Sequence, residues 1–187
     1  MIGYNPSIGI TISLRRYDIM KAQAMLCDYA QVHGGKLNII GAGGGLVVTP
    51  ATAPPYLINL SLAVLMTVPW SATNQQHRLT IELVSEPGGG GGAPARRVDL
   101  TTQTGPGQTV EDKGKILVLF NAGRPPQMLQ GEDTLVPLAL PLFAFPAPDL
   151  GSYYFAIDLD GTEVDRVSFR VVSQLRFMPG NQPPALS

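Results

Sequence analysis

The chain has 187 residues, enough for one domain with a sizeable core or one domain plus arms. Charged residues make up 14%, against the ~25% usual in soluble domains, and the net charge is −1, which excludes the basic stripe a nucleic-acid binder carries. Cys27 is the one cysteine, so no intrachain disulfide exists and the fold stands on its core, a pattern that suits a reducing compartment.

Residues 1–17 carry Gly3, Pro6 and Gly9 and then the alternating stretch GITISLRR. This reads as an N-terminal arm, with Ile8, Ile10, Ile12 and Leu14 as the side chains that would add a strand to a partner. It has no basic region followed by an apolar one, so it is not read as a signal peptide. Residues 18–32 alternate, with Met20, Ala22, Ala24 and Leu26 on one face, and read as a strand. His33, Gly34 and Gly35 then form a hairpin turn, with KLNIIG as the return strand.

The glycine-rich stretch GAGGG (41–45) follows, flanked by apolar runs. Leu57 to Val68 shows strict alternation, with Ile58, Leu60, Leu62, Val64, Met66 and Val68 facing in. Asn59, Ser61 and Pro69 interrupt this apolar region, which is too short for the ~18–20 residues of a membrane-spanning helix. HRLTIELV (77–84) alternates likewise, with Leu79, Ile81 and Leu83 inward. SEPGGGGGAPA (85–95) reads as a loop, RRVDLTT as a strand, TGPGQTVEDKG (104–114) as a second loop and KILVLFN (115–121) as a buried strand.

GRPPQMLQGED reads as irregular, and TLVPLALPLFAF (134–145), with Pro137 and Pro141, as an edge strand. SYYFAIDLDGTEVDRVSFRVV reads as a hairpin around Asp160-Gly161; Tyr153, Phe155, Ile157 and Leu159 face Val167, Phe169 and Val171 across the turn. Residues 176–187 read as a Pro-rich tail. About seven to nine short strands with Gly/Pro turns predict an all-β fold, an antiparallel β-sandwich of Ig-like or jelly-roll-like type over residues 18–175.

The segment MLCDYAQVHGGKLNIIGAGGG resembles the opening of an uncharacterised family of bacterial, largely actinobacterial, and phage-encoded β-sandwich proteins. Such proteins begin with a leucine-rich LLCDYA strand and a GKL-hydrophobic-GgG strand. They end with a hairpin matched here by Gly151, Tyr153, Phe155, Ile157, Leu159, Asp160 and Gly161. The resemblance spans roughly residues 20–172. Where members often carry an aromatic after the glycines, this chain has Gly45-Leu46. The resemblance implies a fold and brings no activity with it.

The glycine stretch fails as a dinucleotide loop. Counting from Gly41, the sixth position is Leu46, and LVVTPATAPP offers no helix N-terminus to hold a pyrophosphate. It reads instead as a strand end where backbone passes close to backbone. Cys27 and Asp28 are adjacent and so face opposite ways on a strand, which removes a thiol–base pair with His33. His77 reads as an exposed or half-buried strand residue. Asp158, Asp160, Glu163 and Asp165 form a weak calcium candidate, but they lack the spacing of an EF-hand loop. Glu111-Asp112 and Glu132-Asp133 read as solvated loop pairs. No Gly-x-Ser-x-Gly elbow exists.

No catalytic residue, cofactor or metal is therefore assigned. The expected role is a non-enzymatic structural or interaction subunit that docks on a larger assembly: a phage capsid decoration or accessory virion protein. Its partners would be a major capsid or other assembly subunit and further copies of itself, with no nucleic acid and no membrane. The virion is its expected location, with the bacterial cytoplasm as the alternative. The second reading is a soluble small-molecule or carbohydrate-binding sandwich, with Tyr56, Trp70 and the 41–46 loop at its mouth.

Overall fold

The computed structural model describes residues 19–86, 95–100, 108–111 and 114–174. The N-terminal arm, with Ile8, Ile10, Ile12 and Leu14, and residues 176–187 lie outside the described residues. Twelve strands follow one another: β1 (Lys21–Cys27), β2 (Tyr29–His33), β3 (Lys36–Ile40), β4 (Leu46–Thr49), β5 (Tyr56–Val68), β6 (Gln76–Glu86), β7 (Arg96–Val98), β8 (Gln108–Glu111), β9 (Lys115–Asn121), β10 (Thr134–Ala147), β11 (Gly151–Leu159) and β12 (Thr162–Ser173). A single 3-10 turn, Trp70–Ala72, separates β5 from β6.

These strands make a two-sheet sandwich. The smaller sheet has the order β1-β5-β10, and the larger has β4-β12-β11-β6-β9-β8, with β7 also pairing β6. The twelve-residue alternation read from Leu57 builds the middle strand of the small sheet: Ile58, Leu60, Leu62, Val64, Met66 and Val68 are all buried. Across the core they meet Leu79, Ile81 and Leu83 of β6 and Tyr153, Phe155, Ile157 and Leu159 of β11, in one continuous cluster. The Phe169 ring stacks on Tyr153 and Phe155 at 5.4 and 5.6 Å between centroids. The Tyr153 hydroxyl donates to Asp149 O (2.6 Å) and accepts from Asp149 N (3.1 Å), so a polar tip enters the core with its hydrogen bonds made.

The hairpins form where the turn residues allow. Gly34 and Gly35 both have positive φ (54° and 72°), as a two-residue turn of this hand needs, and Asp160 and Gly161 repeat this at 51° and 87°. In the second hairpin Tyr153 pairs Phe169 and Phe155 pairs Val167, and a bulge shifts the register between Ile157 and Asp158. Strand β10 closes one end of the small sheet with Pro137, Pro141 and Pro146, the edge position its prolines require.

Several expectations change. The strand expected over residues 18–32 is two strands, broken at Asp28. Beyond the break, β2 and β3 form a hairpin of their own that folds over the outer face of the small sheet. It buries Ala30 against Cys27 and Ala63, with Leu37, Ile39 and Ala139 packed around them. Small side chains on the sheet face let this extra layer approach.

The loop expected over residues 104–114 contains β8: Thr109 and Val110 pair with Leu117 and Ile116 of β9. The pairing is not wholly antiparallel, because β4 runs parallel to β12, from Leu46 beside Arg170 to Thr49 beside Ser173. β9 is buried at Ile116 and Leu117, yet Leu119 is exposed.

The glycine stretch leads from the β2–β3 hairpin to β4 of the large sheet. Gly43 N donates to Leu26 O in β1 (3.0 Å), and Gly45 O accepts from Arg170 N in β12 (2.8 Å). The approach of backbone to backbone expected along this stretch is not what is found: at Gly41, where φ is +68°, a Cβ would overlap a side chain, the Asp28 carboxylate. At Gly43, Gly44 and Gly45 a Cβ would meet open space.

Candidate functional site

The sequence candidates come apart in space. Tyr56 begins β5 and Trp70 follows its end, so the twelve strand steps from Tyr56 to Val68 separate them, about 40 Å at ~3.3 Å per residue. The glycine stretch belongs to the Tyr56 side, where Leu46, Val47 and Val48 line a small notch with Asn59 and Leu60. The expected mouth of Tyr56, Trp70 and residues 41–46 is therefore not one site. Trp70 is also occupied: the Arg124 guanidinium lies 3.7 Å from its ring centroid. The same guanidinium donates to Trp70 O (2.7 Å) and to Thr73 Oγ1 (2.8 Å). That stack anchors a loop, as the core-or-rim role of a lone Trp predicts.

The four carboxylates of the calcium candidate serve four separate contacts. Asp158 Oδ1 accepts from Gly161 N (2.7 Å) and shapes the turn. Glu163 pairs with Arg166 on the exposed strand face. Asp165 Oδ2 accepts from Ala24 N of β1 (2.7 Å), closing the seam between the two sheets at an otherwise open strand edge. Asp160 turns to His77 and to Arg78 N (2.7 Å). Among the described residues no three His, Cys, Asp or Glu side chains converge as a metal would need.

His77 corrects its expectation. It is buried, 6% exposed, and lies near the Phe120 ring at 5.5 Å between centroids. Nδ1 lies 2.8 Å from Asp160 Oδ2, and Nε2 lies 2.6 Å from Ala72 O. Both partners are acceptors, an arrangement that the doubly protonated, charged ring satisfies with a donor on each nitrogen. Burial opposes that charge. The hydrogen bonds to Ala72 O and to Asp160, with the attraction of that carboxylate, outweigh it and hold the pKa above the ordinary histidine value. A signal was present in the sequence: in HRLTIELV, His77 has the parity of Leu79, Ile81 and Leu83, the inward set.

Cys27 is buried, and its thiol donates to Ser61 O at 3.4 Å. Burial, with the neighbouring Asp28, pushes this thiol up, away from the thiolate a nucleophile needs. His33, expected in the turn, is the exposed last residue of β2, paired with Lys36 across Gly34 and Gly35.

The two outer faces of the sandwich differ in chemistry. The large sheet presents Arg78, Thr80 and Glu82 on β6, Asp158 on β11 and Lys115 on β9, around a polar groove of about 500 Å³. Its charges are paired within the fold: Glu82 takes Lys115 at 2.5 Å and Arg97 at 2.7 Å. Beside it, Arg166 lies 4.3 Å from the Tyr154 ring centroid.

The small sheet is the opposite. β5 and β10 contain no charged residue, and Lys21 is the one charge on the outward positions of β1. Leu57, Phe143 and Leu135 are 50%, 54% and 58% exposed on these strands, with Met25 beside them on β1. Among the described residues, no helix is long and apolar enough to cross a membrane.

No curated protein matches the chain. Residues 22–172, from the second residue of β1 to the penultimate residue of β12, match the model of a family of unknown function, DUF6941, and the chain belongs to that family.

Proposed function

We propose that this chain is a non-enzymatic subunit that docks on a larger protein assembly through the small-sheet side of its sandwich. The observation that carries this reading is the set of exposed apolar side chains on the small-sheet side. Leu57 and Phe143 stand near one end of β5 and β10, Leu135 near the other and Met25 on β1, all on strands almost without charge, with the β2–β3 hairpin seated on the face between the two ends. The large sheet also exposes Leu46, Val48 and Leu119, but its outer face carries paired charges as well. Exposed apolar side chains on strands without charge are what protein–protein contacts use. The expected arm, with Ile8, Ile10, Ile12 and Leu14, adds a second contact. In its most specific form the assembly is a phage capsid and the chain an accessory virion protein, located on the virion. That form draws on the resemblance of the β1–β3 and β11–β12 motifs.

The test is size-exclusion chromatography with mass measurement, on protein purified from its native particle or cell. The wild-type chain is expected to run as part of a larger assembly. Leu57→Asp with Leu135→Asp is expected to release a folded monomer with an unchanged circular-dichroism spectrum, and deletion of residues 1–16 to weaken the association. A wild-type chain that runs as a monomer overturns the reading, as does a double variant that associates unchanged.

A further inference from the structure

Three connections meet at one end of the sandwich: the loop over residues 69–75, the segment after β9, and the β11–β12 turn. His77 stands between the first and the third. Its ring reaches Ala72 O on one side and the Asp160 carboxylate on the other, at 2.6 and 2.8 Å. Further bonds complete the junction. Asp160 N donates to Arg78 O (2.9 Å), Asn74 N donates to Ala122 O (2.9 Å), and Arg124 N donates to Asn74 Oδ1 (3.1 Å).

We propose that His77 is a pH-operated clasp: doubly protonated, it ties the 69–75 loop to the β11–β12 turn, and on losing a proton it releases that end of the sandwich. The reason is a count of donors. Neutral imidazole has one N–H and one lone pair. With two acceptors in fixed positions, deprotonation must leave either Ala72 O without its donor or a ring lone pair facing the Asp160 carboxylate. Either arrangement is costly in a buried site. The charged groups around the ring set the balance. Asp160, from the turn, favours the cation. The Arg124 guanidinium, a like charge, is held on the same loop by Trp70 O and the Thr73 hydroxyl. Arg78 shares the Asp160 carboxylate through its backbone N–H, and Asp158 bonds Gly161 of the same turn. The loop 69–75 itself and the nearby ring of Phe120 bring no charge.

The sign follows from the raised pKa. The clasp contributes its full stabilisation below the unfolded histidine value of ~6.5 and loses it as pH rises through the folded value. The device sits where the described chain begins: Lys21 pairs Thr67, one residue before the end of β5. This inference does not depend on the docking reading.

The experiment is a titration of the full chain from roughly pH 5 to pH 9 by long-range proton–nitrogen NMR of the histidine rings. His33→Gln removes the signals of the other histidine. Both His77 ring nitrogens are expected to be protonated at the acid end, with a midpoint above ~6.5. Hydrogen exchange at the Asn74 and Asp160 amides, corrected for its intrinsic pH dependence, is expected to quicken by about tenfold or more above that midpoint, while amides at the centre of β5 do not change. Asp160→Asn should lower the midpoint. A wild-type midpoint at or below the ordinary value overturns the proposal, as does exchange at Asn74 and Asp160 that follows β5 across the range. The first outcome is read on the His77 ring and the second on backbone amides, both with His77 and Asp160 unaltered, so the test survives an Asp160→Asn variant that does not fold.

Discussion

At Gly41 the backbone and one side chain fix the residue type together. φ is +68°, and the missing Cβ leaves room for the Asp28 carboxylate at the break between β1 and β2. Gly41→Ala is expected to cost about 1–3 kcal/mol, from a left-handed backbone held by a non-glycine residue. Urea unfolding of the two proteins checks it, and a loss near zero would mean that the backbone at residue 41 leaves the left-handed region without cost. Gly44→Ala, in open space and without a positive φ, should cost no more than a few tenths. Ser61 presents the reverse case. Its hydroxyl is fully buried between the small sheet and the β2–β3 hairpin, without a hydrogen-bond partner. Leaving such a group unpaired costs about 1–3 kcal/mol, so Ser61→Ala is expected to stabilise the fold, with the urea midpoint moving up.

A sandwich has edges at its seams, and single side chains close them here. β1 is paired with β5 on one side, and on the other its Ala24 N–H meets Asp165 of β12. The bulge at Ile157 and Asp158 shifts the register of β12, and Asp165 lies just past it. Asp165→Ala is expected to lose about 1 kcal/mol and to speed exchange at the Ala24 amide, whereas Asp165→Asn, which keeps an acceptor, loses less. An Ala variant with unchanged Ala24 exchange would show that water replaces the carboxylate without cost. The opposite edge, β10, is defended differently. Its prolines remove donors, and a bulge between Leu142 and Phe145 places Ala144 at φ 47°, with its N–H held by Asn59 Oδ1 at 2.8 Å.

For the whole molecule, what could be read in advance was what depends on near neighbours in the chain. β5 announced itself through uninterrupted alternation, and the β11–β12 hairpin through Asp160-Gly161, because a turn and a pleat are local devices. The edge position of β10 followed from its prolines for the same reason. Which strand lies beside which is not local. Nothing in Leu46–Thr49 specifies a parallel partner in Arg170–Ser173, and β8 was hidden because four alternating residues among Gly and Asp look like a loop. The candidate site suffered likewise. The four carboxylates were close in sequence, yet successive strand residues point to opposite faces and the hairpin sends them to different partners. The His77 junction draws on β6, a loop and the β11–β12 turn, so its parity could be read but its partners could not.

The seam at Ala24 and Asp165 joins residues 141 positions apart. β1 and β12 are the first and last strands of the sandwich, and β4 finds its only described neighbour in β12. During synthesis, then, the amino-terminal strands emerge long before the partners that close them. β1, β4 and the apolar face of β5 must wait, with their edges open, until the final hairpin leaves the ribosome. Closure of the seam waits on that hairpin, and the loop entropy it must overcome makes this a slow-folding chain for its size. Until that moment the uncharged strands β5 and β10 present apolar surface that a chaperone would cover.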